Sequence, residues 1–508
     1  MSSSVQVGTI RTQIPARLDR LPWSRWHWLI VIGLGTVWIL DGLEVTIVGN
    51  VAGRLSEPGS GLDISAAQIS GWAASLYVAG ACLGALFFGW LTDRLGRKKL
   101  FLVSLAVYLF ATALTALSMD PLWFFACRFL TGFGIGGEYA AINSAIDELI
   151  PSRVRGRVDL IINGSFWIGA FIGSFLAIFF LDESIFAPDV GWRLTFALGA
   201  VLAVVILLVR RHVPESPRWL MIHGREREAE EIVAEAERIV REQTGRELPE
   251  PEGEITIRQR RSIGFGTIAK TVFKLYPRRT VLGLSLFVGQ AFLYNAITFG
   301  YATILITFFD VPSGDTGYYY AAIAAGNFIG PLALGHLFDT LGRKVMISGT
   351  YIVSGVLLLG TAALFQADVL NATTMTLCWC VVLFFASTGA SSAYLTVSEV
   401  FPMETRAMAI AFFYAVGTAV GGITGPQVFS RLTETGEISD TALAFAIGAV
   451  LMIAAGVVAA FLAVRAERRS LENIAKPLTA EEAEEGGDSG ATATTRAAPP
   501  TGPRPATA

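Results

Sequence analysis

Twelve long apolar runs divide this sequence, at about 26–50, 67–91, 98–118, 121–149, 157–181, 192–211, 280–308, 317–338, 344–366, 372–400, 406–430 and 440–465. A helix crossing the hydrocarbon core of a bilayer needs about 20 mainly apolar residues. Backbone polar groups in lipid must be satisfied internally, so only helices and closed barrels can span it. The runs are too long for barrel strands and lack their period-two alternation. The chain is therefore expected to be an all-α membrane protein with twelve transmembrane helices. Its composition agrees, with 53% hydrophobic and only 16% charged residues, against about one-quarter charged in soluble domains.

The formal net charge of -3 gives no reason to expect nucleic acid as a partner. Where the charge sits is more informative. Lys and Arg crowd alternate loops: Arg94, Arg97, Lys98 and Lys99, then Arg153, Arg155 and Arg157, the stretch from Arg210 to Arg279, Arg343 with Lys344, and Arg465, Arg468 and Arg469. Opposite loops are acidic or nearly neutral, with Asp182, Glu183 and Asp189, then Asp310 and Asp315. The positive-inside bias puts both termini in the cytoplasm of a multi-pass cell-membrane protein. Four arginines precede the first run, which has no small-residue cleavage site and reads as a retained span.

The expected organisation is a cytoplasmic N-terminal tail (1–25), a six-helix half (26–211), a cytoplasmic central loop (212–279), a second half (280–466) and a largely disordered cytoplasmic tail (467–508). In the central loop Ala229, Ile232, Val233, Ala236, Ile239 and Val240 recur at helical spacing between charges, predicting a soluble amphipathic helix. The acidic, then Pro-rich end of the chain is too polar to fold.

An internal repeat sets the architecture. G-W-L-T-D-R-L-G-R-K-K at 89–99 returns as G-H-L-F-D-T-L-G-R-K-V at 335–345, and E-L-I-P-S-R-V-R-G at 148–156 as E-V-F-P-M-E-T-R-A at 399–407. The copies occupy matching loops of two halves, so the repeat is parallel and its axis lies along the membrane normal.

The loop from Gly89 to Lys99 resembles the signature loop of the major facilitator superfamily. Within it, R-F-L-T-G-F-G-I-G-G-E (128–138), P-E-S-P-R-W-L (214–220), S-E-V-F-P (398–402) and Gln290 with Asn295 resemble the sugar porter and related metabolite proton symporter groups. Asn163 stands where a sugar porter has Gln, and Ala393-Tyr394 where it has Pro-Trp. The Pro-Glu-Thr-Lys-Gly ending is absent. D-G-L-E at 41–44 is instead similar to the acidic motif of aromatic-acid and nicotinate-type symporters. The resemblance implies alternating access around a midplane site, with a proton and a small organic solute, either a sugar or polyol or an organic acid, as cargo. A monomer should suffice.

Asp41 and Glu44 interrupt the first run. Three residues apart on a helix, they share a face and lie about 4.5 Å apart along the axis. A charge at the bilayer centre costs about 2.5–3.5 kcal/mol on insertion scales, and each acid's charge opposes ionisation of the other. Arg128 is the one strong base deep in an apolar run. At about 1.5 Å per residue, Glu44, Asp41 and Arg128 lie about 9, 14 and 10 Å from the outer end. Similarity to sugar porters also pairs Glu44 with Arg128. A fixed structural ion pair would explain one acid but not two, which favours proton coupling by Asp41, Glu44 and Arg128.

Glu138 lies about 80° round the helix from Arg128 and about 15 Å deeper, so it is no partner of that arginine. It could line a cavity or pair with a neighbouring span. Further substrate-binding candidates are polar residues on otherwise apolar spans: Asn143, Asn163, Gln290, Tyr294, Asn295, Thr298, Asn327, Tyr394 and Tyr414. Buried amides and phenols need partners, which a wet cavity or a hydroxylated ligand would supply. At the cytoplasmic face Asp93, Arg97, Glu148 and Arg155, then Asp339, Arg343, Glu399 and Arg406, are by resemblance a gate that holds the halves together while the cavity opens outward.

Gly132, Gly134, Gly136 and Gly137 follow no strand, so they suggest close helix packing and not a nucleotide loop. All four cysteines fall in apolar runs, and the four histidines are scattered, so neither disulfides, a metal site nor a cofactor is expected. No nucleophile motif supports an enzyme. A proton-driven exporter of drugs or metabolites is the alternative. Its fifth-span Gly-Pro-x-x-Gly-Gly motif is missing, although Gly421, Gly422, Gly425 and Pro426 lie in the symmetry-related eleventh span.

Overall fold

A computed structural model describes residues 8–480 apart from 56–58, 63, 65–67, 183, 211–212, 260–264, 313–314 and 434. The acidic and Pro-rich end of the chain, 481–508, lies outside the described residues.

Twelve helical spans form two halves. The first half holds Arg25–Leu55, Ala74–Leu95, Arg97–Ala116, Pro121–Leu149, a fifth span in two segments (Arg155–Gly164 and Phe166–Phe180), and Pro188–Arg210. The second holds Pro277–Phe309, Thr316–Thr340, Arg343–Gln366, Ala372–Val400, Arg406–Thr433 and Ile438–Leu462. Eleven are long and apolar enough to cross a membrane by length and hydropathy alone. The fourth falls short because it carries Arg128, Glu138, Asp147 and Glu148, all buried inside the bundle. Large apolar side chains such as Trp28, Phe110, Leu122, Phe175 and Phe461 are exposed on the outside, as a lipid-facing surface requires.

Packing repeats between the halves. Spans 1 and 5, 2 and 4, and 3 and 6 pack in one, and spans 7 and 11, 8 and 10, and 9 and 12 in the other. Across the seam, span 2 meets span 11 and span 5 meets span 8. Local signals repeat too. Gly96 and Gly342, at φ 99° and 103°, turn the chain into spans 3 and 9 in a conformation that favours glycine. Span 4 is capped by Asp120, which accepts from the Trp123 N–H at 2.9 Å, and span 10 by Asn371 in a capping box with Thr374.

The glycine run of span 4 lets it pack tightly on span 2. A Cβ at Gly132 or Gly136 would strike the carbonyls of Tyr77 or Ala81, and one at Gly80 or Gly84 those of Phe129 or Phe133. The cysteines are free thiols.

The N-terminal segment and the central loop pack together on the face that carries the basic loops. Strand β1 (Thr9–Thr12) pairs antiparallel with β2 (Ile255–Arg258). The central-loop helix Glu226–Thr244 buries Ala229, Val233, Ala236 and Val240, the face its periodicity predicted. It is held to the N-terminal segment by Arg17 and Arg20, which bond Glu237 at 2.9 and 2.6 Å. Burial opposes charge on Glu237, but the two guanidinium groups hold its carboxyl below the usual glutamate range.

Part of the tail differs from the expectation of disorder. Leu471–Ile474 is a short helix, with Leu471, Ile474 and Leu478 buried. Glu404 accepts from the Thr479 backbone N–H and hydroxyl at 2.9 and 2.6 Å. Composition averaged over the tail hides these few apolar residues, and with them the partners waiting on the bundle.

Candidate transport site

Span 1 brings Asp41 and Glu44 into the bundle because it crosses span 5 almost backbone to backbone. A Cβ at Gly42 would strike the Phe166 carbonyl, and one at Gly169 the Ile39 carbonyl. Arg128 donates from Nη1 to Glu44 Oε1 at 2.9 Å, and both side chains are fully buried. Its Nη2 donates to the Thr115 and Thr131 hydroxyls at 2.9 and 3.2 Å. The guanidinium also lies over the rings of Phe196 and Phe124, at 4.8 and 5.7 Å.

Asp41 is different. It is 0% exposed, and neither carboxylate oxygen has a hydrogen-bond partner among the described residues. Its electrostatic neighbours are Glu44, the Tyr108 phenol and the phenols of three further tyrosines, Tyr77, Tyr139 and Tyr394.

Those three tyrosines line a cavity of about 210 Å³ between the halves. Spans 1, 2, 4 and 5 contribute from one half and spans 7, 10 and 11 from the other. Of the sequence candidates, Asn163, Gln290, Tyr294, Asn295, Tyr394 and Tyr414 line it. Asn143 and Asn327 stand one layer behind. Asn143 Oδ1 accepts from Asn163 Nδ2 at 3.0 Å, and Asn327 Oδ1 accepts from the Tyr294 hydroxyl at 2.8 Å, so each orients a lining side chain. Thr298 lies beside the Tyr320 phenol, away from the lining, and Glu138 is buried but does not line the cavity.

Sequence reasoning named Tyr294, Tyr394 and Tyr414 but missed the other rings of the lining, Trp38, Tyr77, Tyr139, Phe166 and Trp167. Trp38 stacks on Tyr139 at 4.7 Å, Tyr139 meets Tyr414 at 4.5 Å, and Trp167 meets Tyr294 at 5.6 Å. The first pair crosses helices within one half, and the other two cross the seam. An aromatic on an apolar span looks lipid-facing. Trp38, however, stands three residues before Asp41 and so shares its helix face, a signal present in the sequence. Among the described residues, none that lines the cavity carries a charge.

Below the cavity, toward the basic face, seven of the eight predicted gate residues form a buried network; the Asp93 side chain lies outside the described residues. Glu148 accepts from Arg97 of its own half at 2.9 Å and from Arg406 of the other at 3.3 Å. Glu399 is bound through both oxygens by Arg343, at 2.9 and 3.0 Å, and met across the seam by Arg155 at 3.6 Å. Asp339 accepts from Arg343 at 2.9 Å and, across the seam, from the backbone N–H groups of Gly156 and Arg157 at 3.1 and 2.8 Å. It thereby caps the N-terminus of span 5. Glu215 does the same for span 3, accepting from Arg97 N at 2.9 Å, and Glu467 for span 9, accepting from Arg343 N at 3.4 Å. Burial pushes the Glu215 carboxyl above the usual range, against the pull of those donors. The seam is closed on this face.

Residues 27–477 match the family described as sugar (and other) transporter. The chain belongs to that family. Among its relatives are the niacin transporter NiaP of Acinetobacter baylyi, 28% identical over 82% of this chain and 90% of that protein, and the putative metabolite transport protein YdjK of Escherichia coli, 28% identical over 87% and 92%. A solved structure of the major facilitator superfamily proton:xylose symporter XylE bound to 6-bromo-6-deoxy-D-glucose superposes with a TM-score of 0.72. That match covers 89% of this chain and 98% of XylE at 16% identity. The twelve-helix, two-half fold is thus that of a major facilitator transporter, and the chain is a transporter and not an enzyme.

Proposed function

We propose that this transporter is a proton symporter for a small single-ring solute, carried in neutral form by alternating access at the cell membrane, with both termini cytoplasmic. One observation carries the reading: Asp41 is fully buried and unbonded beside a Glu44 that Arg128 already neutralises. With Asp41 protonated, the trio of Asp41, Glu44 and Arg128 has no net charge; with Asp41 ionised, it has one unmatched negative charge away from water. A bundle that rocks through an occluded state does so more easily when neutral. Asp41 then takes its proton while the basic face is latched and loses it after the halves part there.

The cavity supports the choice of cargo. Its volume of about 210 Å³ lies below the roughly 300–1,000 Å³ of drug-sized ligand pockets, which suits one ring better than two. Tyrosine and tryptophan faces can stack on a ring, and Asn163, Gln290 and Asn295 can bond its substituents. Arg128 is engaged by Glu44 and two threonines and is not in the lining, so an anionic solute finds no free cation there.

A thermal-shift series on the purified chain tests this with nicotinamide, nicotinate, myo-inositol, glucose and a dicarboxylate, followed by pH-gradient uptake of each hit in proteoliposomes. Binding of a neutral ring with uptake that depends on the proton gradient is expected. Preference for the dicarboxylate, or uptake indifferent to the gradient, would contradict the reading.

A further inference from the structure

Two ladders of polar side chains descend from the cavity toward the basic face. On span 4, Tyr139, Asn143 and Asp147 recur every four residues; on span 5, Asn163, Asp159 and Arg155 do the same in the opposite direction. The ladders join where Asn163 Nδ2 bonds Asn143 Oδ1 at 3.0 Å, directly below the cavity that Tyr139 and Asn163 line. One turn further down are Asp147 and Asp159, both fully buried.

Neither oxygen of Asp159 has a hydrogen-bond partner among the described residues. Asp147 meets Arg155 Nε only at 4.0 Å, with the Ser398 hydroxyl nearby. The charged groups facing Asp159 are Asp147 from span 4, Arg155 from its own span, Arg343 from span 9 and Glu399 from span 10. Asp147 faces Arg155, Glu399 and Arg406. These cations are engaged elsewhere: Arg343 by Glu399 and Asp339, Arg406 by Glu148, and Arg155 by Glu399 at 3.6 Å and Asp19 at 3.7 Å. Arg218, a further buried guanidinium of this layer, is likewise engaged, by Glu472 at 2.9 Å and Asp19 at 3.7 Å. Two neighbouring buried acids whose nearest cation, Arg155, is shared with Glu399 and Asp19 cannot both hold a charge cheaply, and such a pair titrates as a unit.

We propose that Asp147 and Asp159 form a second proton-binding site, on the cytoplasmic side of the cavity, which holds one proton between them while the basic-face latch is closed. When the latch parts, the proton passes from the carboxyl oxygen to entering water. The O–H bond breaks, its electron pair stays on the carboxylate, and Arg155, released from Glu399, meets the new charge. The site deepens the proton-coupled reading and rests on it for the proton's use in transport, but its occupancy can be measured without a solute.

The test is an infrared titration of the full chain in lipid bilayers, following the carbonyl band of protonated carboxyl groups in the wild type, Asp159→Asn, Asp147→Asn, the double variant and Asp41→Asn. Either single variant of the pair should remove one carboxyl's worth of the titrating band, and the double variant no more than that. Asp41→Asn should leave this component in place. One single variant together with the double variant suffices, since the double should lose no more than the single, so failure of one single variant to fold does not remove the test. A band unchanged by the pair's substitutions, or losses that add in the double variant, would overturn the site. If the component behaves as expected while wild-type uptake ignores the proton gradient, the symport reading falls and the site stands.

Discussion

Asp41 and Glu44 share a helix face but differ in bonding, and that difference separates their roles. Glu44 holds Arg128 at 2.9 Å, whereas Asp41 bonds nothing among the described residues. Removing one member of a buried ion pair leaves the other charge uncompensated, at a cost of about 3–5 kcal/mol. Glu44→Gln should therefore lower the thermal unfolding temperature of the purified protein sharply. Asp41→Asn, which breaks no bond, should leave it unchanged or raise it. Equal melting of the two variants would show that Glu44 alone does not anchor Arg128. Sequence spacing identified these three residues and resemblance to sugar porters paired Glu44 with Arg128; the packing makes that bond and leaves Asp41 without one. Arg128 could have been reached from either acid along the helix face, and its choice depends on Thr115, Thr131 and Phe196, which come from other positions on three spans.

Among the elements, the crossing of spans 1 and 5 positions the acids. Its contact is carried by Gly42 and Gly169, so Gly169→Ala should force the helices apart. Overpacking of this kind costs typically about 1–3 kcal/mol. A thermal unfolding comparison checks the stability, and solute uptake should fall with it; an alanine tolerated in both assays would contradict the close crossing. The central-loop helix makes a pH-dependent joint. Burial opposes its charge, but Arg17 and Arg20 hold the folded Glu237 carboxyl below its unfolded value, near 4.3 in free peptides. A depressed carboxyl contributes stability that is complete above that unfolded value and lost as pH falls through the folded one. Hydrogen exchange, corrected for its intrinsic pH dependence, should show Ile14–Asp19 losing protection in that acid window before Pro217–Ile222 does. Equal loss in both would sink the idea. The amphipathic helix was legible because Ala229, Val233, Ala236 and Val240 repeat at its period. The β1–β2 pairing was not, because four-residue strands 243 positions apart carry too little pattern to find each other.

At the scale of the whole molecule, the duplicated loop motifs were enough to read two parallel halves, and the matched packing of spans 2 with 4 and 8 with 10 bears that out. The cavity was half legible. Amides on apolar spans stand out by polarity, so Asn163, Gln290 and Asn295 were found. Tyr139 and Trp167 were lost among rings that face lipid, because only the tertiary arrangement tells them from outward aromatics, whereas Trp38 was missed although it shares a helix face with Asp41. The resulting picture is of two halves latched on the basic face, a ring-lined cavity between them, and one unbonded acid beside it whose charge decides whether the bundle crosses neutral. Proton coupling through Asp41 is the central claim. It is tested most directly in proteoliposomes loaded with the solute that binds best, comparing pH-gradient-driven accumulation with gradient-free counterflow in the wild type and Asp41→Asn. The account predicts that Asp41→Asn abolishes accumulation and keeps counterflow within a few-fold of the wild type; wild-type accumulation in the variant would contradict it.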